Sequence, residues 1–148
     1  MRTIHEHLRP RRGQSVVEFA IISIVILLLT FGIIDLGRGV YQRAMLANAA
    51  REAARYASVN NQASDTSGIA AYAAQRSPTL GLTTANFTVT CSRYDYTNNV
   101  WSSLSGCIGL MTGDRVQVVA TYTFNIAPAN LLPLPPIQMS QTAQVGVQ

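Results

Sequence analysis

Glu18 is the first residue of this chain whose type and position call for chemistry, a carboxylate one place ahead of residues 19–34, which are sixteen consecutive positions without a charge. A carboxylate at the edge of hydrocarbon or inside it costs several kcal/mol unless paired, so such a residue is a candidate for function by default. Five positions earlier stands Gly13, which leaves the backbone unobstructed for a protease and disfavours helix, so that the bond before Gln14 could be held extended at a membrane surface. Arg2, Arg9, Arg11 and Arg12 precede it and suit an anionic leaflet. Taken alone, Glu18 also has a plainer reading, an acid near the N-terminal end of a helix, where the macrodipole favours it by ~0.3–1 kcal/mol.

Cys91 and Cys107 are the next candidates. An even count in a segment facing an oxidising compartment points to a disulfide that contributes about 3 kcal/mol; two buried free thiols are the alternative. They make no zinc site, because zinc wants four ligands and the only histidines, His5 and His7, are at the far end of the chain. A hydrolase needs a nucleophile with a base. The acids beyond residue 59 are Asp65, Asp95 and Asp114, each in turn-like sequence beside Asn, Gly or Ser. The reading is no enzyme, no metal and no cofactor. The net charge of +4 comes from eleven basic residues, all Arg, and residues 1–13 supply +3 of it. No basic stripe interleaved with aromatics is present, which argues against nucleic acid as a partner.

The elements that position these residues follow from hydropathy and period. Between Arg12 and Arg38 lie twenty-five residues whose only charges are Glu18 and Asp35. A helix needs about 20 residues to cross a hydrocarbon core of roughly 30 Å, so a span over about 16–37 is expected. A secretory signal peptide would also show a basic start and an apolar run, but the nearest A-x-A is at residues 47–49, beyond Asp35, Arg38 and Arg43. Residues 41–59 are rich in helix formers without proline and continue the helix to about residue 58. Ala47, Ala50, Ala54 and Ala57 form a small apolar stripe, a packing face or a surface for neighbouring subunits, with Arg51, Glu52 and Arg55 on the other side. Gly32, Gly37 and Gly39 are its soft points. Asp35 and Arg38 can pair on one face as a solvated couple at the outer interface.

Beyond a polar connection over residues 60–67, Asp65 or Ser67 can cap a second short helix running through Arg76 and stopped by Pro78. The period then changes to two, at 87–91 and again at 116–126, with a weaker candidate at 138–147. Asn98-Asn99 suggests a hairpin tip inside the Cys91 to Cys107 loop, and the proline-rich residues 128–136 join the last two strands. The expected fold class is α+β: a long N-terminal transmembrane helix continuing into a small head, with a short second helix packed on an antiparallel β-sheet. The divisions are a leader at 1–13, the helix at 14–58 and the head at 59–148.

The basic leader, Gly13, then Glu18-Phe19 resembles the processing site of type IV prepilins, in particular the Flp-like pattern of Gly followed by xxxxEF. Asp35-Leu36-Gly37-Arg38, Tyr41 and the run from Asn48 to Ala57 resemble the TadE-like family, with its E/D-x-G-R turn and "NAAREGARYA" helix. One departure is Ala53, where the family usually has glycine. The resemblance covers about residues 13–57 and implies a pilin-like minor pilin or pseudopilin of the Tad pilus, supporting pilus biogenesis and adhesion. It implies cleavage after Gly13 by a prepilin peptidase, and pairing of Glu18 with the new Gln14 amine of an adjacent subunit to set register. Implied partners are that peptidase, other pilin or pseudopilin subunits, the assembly machinery and membrane lipid. Implied location is the bacterial inner membrane, single-pass, with the N-terminus cytoplasmic and the head outside, or the assembled pilus. The alternative is a single-span anchored adhesin, which has no reason to keep Gly13 and Glu18 in this spacing.

Overall fold

The apolar run and the alanine-rich segment behind it fuse into one helix, α1, Arg12–Val59, of 48 residues, roughly 72 Å at 1.5 Å per residue. The computed structural model describes residues 12–59, 65–126 and 135–148. Helix runs unbroken through Gly32, Gly37 and Gly39, so the expected soft points do not interrupt it. It also starts earlier than expected and takes in Gly13. A glycine weakens that turn by about 1 kcal/mol relative to alanine without preventing it from forming.

The head is built on the second half of α1. Helix α2, Thr66–Gln75, is capped by Asp65, whose carboxylate accepts from the Gly68 N–H at 2.8 Å. Ser67 is not the cap; its hydroxyl donates to the same carboxylate at 2.8 Å. The helix closes at Arg76, and Pro78 opens a short 3-10 turn, Pro78–Leu80, followed by a second, Thr84–Asn86. Four antiparallel strands follow: β1 Phe87–Asp95, β2 Val100–Ser103, β3 Arg115–Phe124 and β4 Ile137–Gly146, in the order β2-β1-β3-β4. The Asn98-Asn99 tip joins β1 to β2, with Asn99 at φ 54°. The polar connection at 60–64 and the proline-rich residues 128–134 lie outside the described residues.

Register decides what faces the helices. Phe87 lies opposite Ala120, Val89 opposite Val118 and Cys91 opposite Val116, while Val118 also faces Ala143. Period two puts these on one face, where α1 crosses β3 and β4 and α2 rests on β1. The buried row of α1 is Leu46, Ala49, Ala50, Ala53, Ala54 and Ala57. Ala47, expected in that row, is only half-buried. The stripe is wider than expected and centred between Ala50 and Ala53, because a sheet covers more of a helix than a single line of contacts. Methyl-sized side chains let the sheet approach the helix closely.

Candidate functional site

Among the described residues, nothing buries the part of α1 before Asp35. Its most apolar window has a mean hydropathy of 2.7 and no buried residue, and Phe19 at 73%, Leu29 at 63% and Ile33 at 62% remain exposed. A helix apolar all round and unpacked on its own chain suits a lipid surround. The polar Thr30 hydroxyl in it is satisfied within the helix, donating to the Ile26 carbonyl at 2.8 Å. At the start of this stretch the Gln14 side-chain amide donates to Glu18 Oε1 at 3.2 Å. Glu18 therefore has a neutral partner one turn away, and it lies beyond the first turn of α1, where the macrodipole has faded. A Cβ added at Gly13 would meet nothing within 4 Å.

The head meets the helix at Asp35. Arg38 Nη1 lies 3.0 Å from Asp35 Oδ1, as the three-residue spacing predicts. The pair is not solvated on both sides, however: Asp35 is 7% exposed. Arg38 reaches over the Phe124 ring at 5.7 Å, and a Cβ at Gly39 would touch Met139 Cε at 3.7 Å. The ends of β3 and β4 thus come down onto α1 one turn beyond Asp35. Gly37 points away from these contacts.

Farther along, the motif residues Arg51, Glu52 and Arg55 are exposed on the side of α1 that faces the end of α2. Tyr56 and Tyr72 stack between the two helices, with centroids 3.9 Å apart and planes 10° from parallel. The Tyr72 hydroxyl donates to Glu52 Oε1 at 3.3 Å.

Cys91 and Cys107 are bonded, with Cα atoms 5.4 Å apart, and both are buried. The free-thiol alternative is thereby removed. Beside the disulfide, Arg93 Nε donates to Asp114 Oδ1 at 2.8 Å and Nη2 to Oδ2 at 2.6 Å, while the Met111 N–H donates to Oδ2 at 2.7 Å. Asp114 is 3% exposed. Its pKa is lowered, first by the Arg93 hydrogen bonds and, despite burial, by the Met111 N–H. Turn chemistry was expected for Asp65, Asp95 and Asp114. It accounts for Asp95, which accepts from the Thr97 N–H at 2.8 Å. Asp114 takes part in a turn but mainly holds Arg93, a pairing that sequence spacing does not announce.

The structure does not gather the candidate residues into one centre. Gly13, Gln14, Glu18 and Phe19 sit at one end of α1, Asp35 and Arg38 at the foot of the head, Arg51, Glu52 and Arg55 above, and the cysteines within the core. Among the described residues no group of three or more His, Cys, Asp or Glu comes together.

The fold is one apolar helix, long and apolar enough to cross a membrane, carrying a small α+β head, and the helix fits a single-pass anchor. Residues 13–55, under a third of the chain, match the family model of TadE-like proteins. The match takes in Gly13, Glu18, Asp35, Arg38, Arg51 and Arg55 and ends before the second helix. No curated protein matches the chain, and no solved structure does.

Proposed function

We propose that this chain is a minor pilin or pseudopilin of a Tad-type pilus, cut by a prepilin peptidase after Gly13 and then held in the inner membrane by residues of about 16–37. Its N-terminus lies in the cytoplasm and its head outside, where the disulfide is stable. The observation that carries this reading is the division of α1. Packing against the head begins only at Asp35, so everything from Gln14 onward to that point is free to lie in lipid or against other subunits. The work of such a protein is structural: association with other pilus components, with no substrate turned over.

Intact mass of the membrane-extracted chain, expressed beside a prepilin peptidase, tests it. A mature chain starting at Gln14 is expected. A chain starting at Met1, or one cut after residues 47–49, overturns the reading and leaves an anchored binding domain or a secreted one.

A further inference from the structure

Arg51, Arg55 and Arg76 surround a groove of about 470 Å³ between α1 and the end of α2, floored by Met45 and Ala49. Arg76 is held in place by the Tyr72 ring, 5.3 Å from its guanidinium carbon. Arg51 makes one long bond, to Asn48 Oδ1 at 3.5 Å. Among the described residues Glu52 is the only acid in the lining, and Tyr72 already donates to it. Among the described residues none of the three arginines forms an ion pair.

Among the described residues no uncommitted acid answers this charge. Of the chain's seven acids, Asp35 holds Arg38, Asp114 holds Arg93, Asp65 caps the opposite end of α2, and Asp95 closes the hairpin turn. Glu18 sits at the far end of α1, roughly 50 Å below Arg51 by helical rise, and Glu6 belongs to the segment before it. A second copy brings the same surplus of arginine and the same committed acids, so it is a poor occupant. Lipid phosphate is a poor one too, since Arg51 stands roughly 20 Å along the helix beyond Arg38, where the head begins.

We infer that the groove binds a carboxylate-bearing segment of a second, different polypeptide. Guanidinium groups from two helices offer forked donors that match carboxylates in pairs, and the apolar floor lets the intervening chain lie down. Charges half-screened by the groove walls also favour fast encounter with an acidic partner. The inference rests on the proposed function only for the compartment in which the partner is met. Processing at Gly13 is a separate measurement, so the failure of one leaves the other standing.

The test uses the full chain in neutral detergent and a fluorescent hexaglutamate peptide followed by anisotropy. Saturable binding that weakens as salt rises is expected. The Arg55→Gln/Arg76→Gln double variant should bind about tenfold more weakly, and Arg55→Lys/Arg76→Lys should keep part of the affinity because charge remains without the fork. Arg43→Gln, about half a turn round the helix from Glu52, should bind as the wild type does. Should the double variant misfold, Asn48→Glu replaces the amide oxygen that accepts from Arg51 with a competing carboxylate while keeping all three arginines, and it should weaken binding as well. No wild-type binding, or an equal loss in Arg43→Gln, overturns the inference. So does displacement of the peptide by dihexanoyl phosphatidylglycerol at lower concentration than by unlabelled peptide, which makes the ligand a lipid headgroup. Self-association in sedimentation that disappears in the double variant overturns it too, in favour of a second copy.

Discussion

Arg93 and Asp114, 21 residues apart, meet through two parallel hydrogen bonds of 2.8 and 2.6 Å, and they tie the loop after β2 to the strand that carries Cys91. The lowered pKa of Asp114, caused first by Arg93, makes this clamp pH-dependent. A carboxyl whose folded pKa lies below its unfolded value of about 3.9 stabilises the fold fully above that value. The contribution is lost as pH falls through the folded pKa. Melting temperature in detergent is therefore expected to hold steady from neutral pH to about pH 5 and to drop below about pH 4. Asp65 and Asp95 are lowered by their own hydrogen bonds and add to the drop. Asp114→Asn should lower stability at neutral pH by roughly 1.5–3 kcal/mol, the range for hydrogen bonds to a charged group. It should also make the acid drop smaller. An acid drop of wild-type size in Asp114→Asn would show that the clamp contributes nothing to it.

Ala53 is fully buried at 0% exposure, in the row where α1 meets the sheet. The packing there sets a volume limit that alanine or glycine satisfies. Ala53→Leu is expected to cost about 1–3 kcal/mol or more by overpacking. Ala53→Gly should cost only about 1 kcal/mol through helix propensity, with a small addition for the lost methyl. Ala47→Leu, at the half-buried margin of the stripe, should be near neutral. Urea titration of the three variants orders them, and equal losses at 47 and 53 would place the packing face elsewhere.

These two cases mark what the sequence made legible. Local and periodic features were readable: the apolar run, a cap at Asp65 or Ser67 that falls to Asp65, the alternation at 87–91 and 116–126, of which the second strand ends at Phe124, and the Asn98-Asn99 tip. The i,i+3 pairing of Asp35 with Arg38 was also readable, but not the burial of Asp35. That depends on how far β3 and β4 reach down α1, which is a matter of sheet register. Long-range partnerships were hidden for the same reason. Nothing near Asp114 names Arg93, nothing near Tyr56 names Tyr72, and Arg76 joins Arg51 and Arg55 only because α2 folds back along α1.

Gly13 bears directly on the proposed processing. Helix α1 encloses it, so a peptidase must unwind the first turn to reach the bond before Gln14. That turn is cheap to open because glycine weakens it by about 1 kcal/mol and its N–H groups lack intrahelical acceptors. Gly13→Ala should slow processing and a bulky residue should block it, although a Cβ there meets nothing in the chain itself. The obstruction would arise in the peptidase site alone, so the uncut protein should remain folded and inserted. Immunoblotting beside a prepilin peptidase reads both bands, and normal cleavage of Gly13→Leu argues that the bond lies elsewhere.

Substitutions at Glu18 are expected to separate insertion from assembly. No basic residue lies between Gln14 and Asp35, and the Gln14 amide that donates to Glu18 at 3.2 Å is neutral, so among the described residues Glu18 has a hydrogen bond and no ion pair. Cleavage after Gly13 would turn Gln14 into a terminal residue with a free amine. The amine of a neighbouring Gln14 could then neutralise Glu18 at membrane depth, where an unpaired acid costs roughly 2.5–3.5 kcal/mol at the helix centre and less at the boundary. Glu18→Ala should insert at least as well as the wild type and be processed normally, yet recover less of the other pilus components on co-purification. Glu18→Gln tests which property matters, since it keeps the hydrogen bond to Gln14 and loses the charge. If the ion pair sets register, Gln behaves as Ala does. Wild-type co-assembly in Glu18→Gln would reduce the interaction to hydrogen bonding, and wild-type co-assembly in Glu18→Ala would remove the pairing altogether while leaving the anchor and its processing site as proposed.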